Sequence, residues 1–181
     1  MACPTLLRAF LRYEPESGKL YWKPRARAFF KTDGAYRAWN KRFAGKEACC
    51  LVESNGYLSG TVGGRKMLAH RIAYTIYHGA SPEIVDHQNG IRADNRIKNL
   101  RSVNCSENMK NVVLNANNTS GACGVYRSYC GKYWYAQIRV DGKKRHLGYF
   151  KDYESAVTAR RDASTRYGYH QNHGLPMMER V

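Results

Sequence analysis

Val85-Asp86-His87-Gln88-Asn89-Gly90, followed by Asn99-Leu100 and then Glu107-Asn108, decides the reading of this chain. An adjacent carboxylate and imidazole are followed by an asparagine twelve residues later and a second one nine beyond that. Oxygen-bearing side chains of this kind suit one hard divalent cation, and a neutral imidazole beside them can take a proton from water. Those are the parts needed to hydrolyse a phosphodiester. Around the pair, Ile84–Val85 predicts a short strand ending at Asp86 and His87, and Gln88-Asn89-Gly90 a turn. A looser stretch, 91–97, leads to Asn99, and a short helix is expected to begin near Asn104.

Charge supports a polyanionic partner independently. The 181 residues hold 30 Lys+Arg against 14 Asp+Glu, a formal net charge of +16, with a pI near 9.8. The excess is spread, at +6, +4 and +6 over residues 1–64, 65–110 and 122–170. Every globular part could therefore lie along a phosphate backbone, which favours nucleic acid over a neutral substrate. No run approaches the roughly 20 apolar residues of a membrane span. Met1-Ala2-Cys3-Pro4-Thr5 lacks the basic-then-apolar order of a secretion signal. A cytoplasmic protein is expected.

The Asp86-His87, Asn99 and Asn108 intervals, with His70-Arg71 before them and Asn111 after, resemble the HNH nucleases, in particular the homing endonucleases of phages. The resemblance spans roughly residues 8–111. It implies a ββα-metal core in which His87 is the general base and Asp86 and Asn108 ligate one Mg²⁺ or Mn²⁺. Asn99 would hold the loop and orient His87. Arg71, Arg96 and Arg101 become expected phosphate contacts, with Asn95 a further one, although Asp94-Asn95-Arg96 in this family more often serves the hairpin's structure. Some relatives add two Cys-x-x-Cys pairs as a zinc clamp. The six cysteines here (Cys3, Cys49, Cys50, Cys105, Cys123, Cys130) contain no such pair. They read as free thiols, and no structural zinc is expected.

Three segments follow from composition, making an α+β chain. Residues 1–64 read as a β-rich lead-in. They begin with a short helix through Leu6, Leu7, Phe10 and Leu11, then a turn at Pro15–Gly18 and a strand at 19–22. A second strand, 57–62, lies between the turns Asn55-Gly56 and Gly63-Gly64. Between them, residues 23–42 mix basic and aromatic side chains whose expected job is to fill a small core. Residues 65–114 form the expected catalytic core, with a helix over 67–77 that Gly79 and Pro82 stop. His70 and His78 on it read as packed or surface residues.

Uncharged, turn-rich residues 115–121 read as a linker. Beyond it, Trp134, Ala136, Ile138 and Val140 alternate with Tyr133, Tyr135, Gln137 and Arg139. Asp141-Gly142 turns the chain into a second strand, 143–150. A helix capped by Asp152 then carries Ala156, Ala159, Ala163 and Tyr167 on one face before Gly168. The strand face bearing Tyr133, Tyr135, Gln137 and Arg139 stays open, and these four are expected to contact DNA. Gly124-Val125, Ala136-x-Ile138-Arg139, Leu147-Gly148-Tyr149-Phe150 and the 154–168 helix resemble the Apetala/ethylene-response-factor DNA-binding domain. The likeness covers roughly 118–170, with a domain at 122–170 and a tail at 171–181. It implies a three-stranded sheet packed on one helix, reading the major groove with Arg139, Lys144 and His146, and with Arg127 as a further contact. Tyr126 and Ser128 stand where the plant domains often carry arginines, which weakens any claim to their GC-box specificity.

Together these readings imply a homing-type DNA endonuclease that uses one divalent cation and no small-molecule cofactor. It would bind double-stranded DNA, as a monomer or weak dimer, and one site per chain implies nicking. A phage-encoded protein in a bacterial host is the expected setting. The alternative is a DNA-binding transcriptional regulator that does not cut, resting on residues 122–170 alone. Single-stranded RNA binding through the tyrosines fits the charge but leaves the Asp-His-Asn-Asn set unexplained.

Overall fold

The structure, a computed structural model, describes residues 3–176. Met1 and Ala2 from the start read for a leader, and residues 177–181 of the expected tail, lie outside the described residues. The chain divides into two compact units, Met1–Val103 and Asn104–Val181. Both mix helices with small antiparallel sheets.

In the first unit, helix α1 (Pro4–Phe10) starts on a proline, whose missing N–H is harmless in the first turn, and buries Leu7 and Phe10. The chain then runs into β1 (Leu11–Glu14), turns at 15–18 and returns as β2 (Lys19–Trp22), in the register Leu11↔Trp22 to Glu14↔Lys19. A single 3-10 turn, Arg27–Phe29, precedes helix α2 (Asp33–Phe43), capped by the Thr32 side chain. Strand β3 (Glu47–Ala48) then pairs with β2. Helix α2 falls in the basic-aromatic segment whose expected job is to fill a small core. Its Tyr36, Trp39 and Phe43 recur at helical spacing, a pattern hidden among the interleaved basic residues.

A second sheet joins β4 (Leu51–Val52), β5 (Leu58–Val62) and β6 (Arg65–Leu68) in that order. Helix α3 (Ala69–His78) follows at once. Met67 and Leu68, expected in this helix, instead pair with Gly60 and Ser59 as the end of β6. Strand pairing outweighs their helical periodicity. Gly79 closes α3 in the left-handed region at φ 73. With Ile72 and Ala73 fully buried, α3 is the centre of the core, packing against α1, β1, β2 and the second sheet. It also packs on β7 (Ile84–His87) and β8 (Leu100–Val103), an antiparallel pair in the register Asp86↔Arg101 and His87↔Leu100.

The second unit opens with helix α4 (Cys105–Met109), where Asn104 and Glu107 bond reciprocally in a capping box. Backbone bonds from Leu114 to Leu175, Gly174 to Val112 and His170 to Lys110 tie residues 110–114 to residues 170–175. These bonds account for a division after Val103, ahead of the expected linker at 115–121. Strands β9 (Val125–Arg127), β10 (Trp134–Val140) and β11 (Lys143–Phe150) form a sheet in the order β11-β10-β9. Helix α5 (Tyr153–Arg166) is capped by Asp152 and packs on β10 and β11. Val125, Ala136 and Ala156 are fully buried at the centre, with Trp134, Leu147, Phe150 and Tyr153 around them. No helix of the described residues is long and apolar enough to cross a membrane.

Candidate active site

Strand alternation sets what each residue of β7 can do. Val85 and His87 point into the core, whereas Ile84 and Asp86 are only half-buried. His87 is 3% exposed, and its Nε2 lies 3.0 Å from Asn95 Oδ1. An amide oxygen only accepts, so Nε2 carries the proton and the lone pair resides on Nδ1. Burial pulls the His87 pKa below its usual value, against the Asn95 hydrogen bond and the carboxylates of Asp86 and Asp94. The ring is therefore neutral at pH 7, in one tautomer.

Asn95 is held by the lead-in segment. The Tyr13 hydroxyl donates to the Asn95 carbonyl at 2.7 Å, and Ile97 N donates to Pro15 O at 3.1 Å. Gly18, at φ 75, packs so tightly that a Cβ there would sit 2.5 Å from Arg96 N and 2.6 Å from Asn95 C. Gly18→Ala combines this clash with a disfavoured φ. It is expected to destabilise the first unit by about 1–3 kcal/mol and to slow any reaction that uses His87, measured by urea unfolding and by rate.

Asn99 sits 6% exposed and closes the same loop. Its Oδ1 accepts from Asn89 N at 2.9 Å, its Nδ2 donates to Asp94 O at 2.8 Å, and its carbonyl accepts from Gln88 N at 2.9 Å. These three bonds tie the loop together, while the side chain in contact with the His87 ring nitrogen is that of Asn95. Asn95→Asp puts a carboxylate against Nε2, which raises the His87 pKa and removes the neutral base at a higher pH. The acid limb of a rate–pH profile is expected to move upward, and an unmoved limb would refute the contact's role.

Asp86 faces the other side of the hairpin, where Arg101 Nε and Nη2 both reach its Oδ2, at 3.1 and 2.9 Å. Arg96 is bound to Asp94 at 2.7 and 2.5 Å. Arg71 Nη1 and Nη2 donate to Glu83 O and Pro82 O, both at 2.8 Å, and so brace the approach to β7. All three cations expected on phosphates in this unit thus also have partners within the fold, Arg96 and Arg101 in the hairpin and Arg71 just ahead of it. Asn108 lies on α4 in the second unit, half-buried, its N–H donating to Asn104 O at 3.0 Å.

An aromatic group behind His87 escaped the sequence reading. The His70 ring packs edge-on at 5.0 Å, with Tyr57 5.8 Å from His87 and 5.0 Å from His70. Arg92 lies over Tyr57 at 5.2 Å. Tyr57 and His70 are far from His87 in sequence, and no local signal joins them.

In the second unit, cross-strand register gathers Gln137 with His146 and Arg139 with Lys144 on one face. Tyr135 joins them, stacked on Tyr126 at 5.3 Å and 6.0 Å from Tyr149. Arg139, Lys144, His146 and Tyr149 are exposed. Tyr133 is exposed just ahead of β10, while Arg127 lies over Trp134 on the α5 side of the sheet. Five of the seven expected contacts therefore share the open face, together with Tyr126 and Tyr149.

Among the described residues no group of three His, Cys, Asp or Glu side chains converges as a metal site. The hairpin thus offers a tautomer-fixed imidazole beside a half-buried carboxylate, within a loop locked by asparagines. Residues 67–110, from the end of β6 through α4, match the HNH endonuclease family. No curated protein and no solved structure matches the chain.

Proposed function

We propose that the chain is a metal-dependent DNA endonuclease of homing type that nicks one strand at a recognised site. The observation that supports this reading is the His87 ring, neutral and buried, with Nε2–H committed to Asn95, inside the segment that matches the HNH family. His87 is then the residue that takes the proton from the attacking water.

A hard divalent cation fits the donor chemistry. Asp86 supplies a carboxylate, held by Arg101 through Oδ2, and Asn108 supplies an amide oxygen at the family's interval. Two protein oxygens suffice for Mg²⁺ or Mn²⁺, which keep waters and share substrate phosphate oxygens. When bound, the ion supplies charge neutralisation at the attacked phosphate and the departing 3′-oxygen. Arg101 aims Asp86, Asn99 keeps the loop closed, and Asn95 keeps His87 in its working tautomer. The assignment of Asn108 rests on its interval in sequence. The open face around Tyr135, Arg139 and Lys144 serves as a second DNA reader, since linking two weak readers raises the effective concentration of each.

Supercoiled plasmid incubated with Mg²⁺ or Mn²⁺ is expected to be nicked, and EDTA to abolish nicking. DNA binding without nicking under any divalent ion would favour the non-cleaving regulator instead.

A further inference from the structure

Helix α2 belongs neither to residues 67–110 nor to the open face of the second unit. From Lys23 to Lys46 the chain has eight Lys or Arg and one acidic residue, Asp33. This is a formal +7 in 24 residues, close to half the net charge of the whole protein. Three of the eight cations are engaged: Lys23 donates to Arg8 O, and Arg27 pairs with Asp33. Arg25 is packed among Trp39, Phe10 and Trp22, at 4.0, 4.7 and 5.1 Å. The other five, Lys31, Arg37, Lys41, Arg42 and Lys46, are exposed and have no acidic partner among the described residues, although Arg42 also lies over the Phe43 ring at 5.1 Å.

The helix is built to present those charges. Trp39 meets Trp22 at 5.6 Å and Phe43 at 5.3 Å, and Tyr36 meets Phe30 at 5.8 Å, which turns this aromatic side inward. Asn40 bonds Arg25 N and O, at 2.9 and 3.1 Å, on the same side. At 100° per residue, the opposite side carries Gly34 and Ala38, with Arg37 and Lys41 beside them and Arg42 at the flank. No residue of α2 is fully buried. A strip of small side chains edged with cations lets a phosphate backbone approach closely.

We propose that α2 is a DNA-docking helix that sets Arg37, Lys41 and Arg42 on backbone phosphates of the duplex. The proposal rests on the reading that DNA is the substrate. Phosphate contacts fix position without reading sequence, so α2 strengthens binding to all duplexes alike.

The test is fluorescence anisotropy of the full chain on two unrelated duplexes, in EDTA, across a KCl series. Arg37→Ala/Lys41→Ala/Arg42→Ala is compared with the native chain and with a charge-matched control, Lys151→Ala/Arg161→Ala/Arg166→Ala. A glutamine version of the α2 triple, with circular dichroism on each, separates lost contacts from lost helix. Losing three phosphate contacts is expected to reduce the slope of log K against log salt by about 2–3, equally on both duplexes. An unchanged slope, a loss equal to the control's, or a loss on one duplex only overturns the proposal. Plasmid nicking in Mg²⁺ is read separately. A chain that binds through α2 but never nicks refutes the nuclease and leaves the docking helix standing, and nicking with an unchanged slope does the reverse.

Discussion

His87→Ala is expected to lower the nicking rate by about 10²–10⁴-fold, the usual contribution of a positioned general base. The loss should fall on kcat, because the 3%-exposed ring offers little surface for holding DNA and its task is proton removal. Duplex affinity in EDTA should stay within a few-fold of the native value. The pH profile gives an independent check. Burial holds the His87 pKa below its ordinary value, so the neutral base persists as pH falls through the usual histidine range. Native activity should therefore hold below about pH 6.5, and whatever rate the variant retains should lack that limb. A variant that nicks at close to the native rate would remove His87 from the chemistry.

Much of this site is legible in sequence because its parts are local. Asp86 and His87 end a strand and Asn99 precedes the strand that pairs with it, so the first interval lies inside one hairpin, whereas Asn108 lies on α4 in the second unit. The contact that sets the tautomer is less legible. Asn95 looks like one more polar loop residue until the loop closes and carries its Oδ1 to His87. Nor does local sequence show that Tyr13, Pro15 and Gly18, some eighty residues earlier, brace that loop, because the contact exists only once the β1–β2 hairpin has docked. The lead-in segment is therefore part of the site's support. Charge alone does not show that Arg71, Arg96 and Arg101 also have partners within the fold, carbonyls for the first and carboxylates for the other two. In the second unit, simple alternation is enough to find the open face, since β10 keeps its period of two throughout and the extra residue of the bulge, Leu147, falls on β11. The place of Tyr126 there needed the β9 pairing, which follows no pattern within its three residues.

Mild acid should destabilise the first unit, and His70 is the main reason. It is 5% exposed, and its Nδ1 has no hydrogen-bond partner among the described residues. Burial first, and then the neighbouring His87 and Arg71, push its pKa down to about 3. An unfolded histidine titrates near 6.5. Between those values the unfolded chain binds a proton that the native chain refuses, so stability is complete above about pH 6.5 and drains away as pH falls toward 3. One such proton is worth about 1.4 kcal/mol per pH unit, or about 2 kcal/mol between pH 6.5 and 5. Unfolding of the full chain by urea at pH 7 and pH 5 reads this directly, in a range where carboxylates remain mostly ionised. His70→Phe keeps a ring against Tyr57 and His87 and removes the titrating group, so its stability should fall less over the same interval. His87, buried in the same group of rings, contributes in the same direction and accounts for part of what remains. An equal fall in both proteins would show that His70 is not the acid-sensitive group. A smaller fall in the variant would mean that the ring behind His87 is kept uncharged at a real expense in acid stability, as a base that must stay neutral requires of its nearest neighbour.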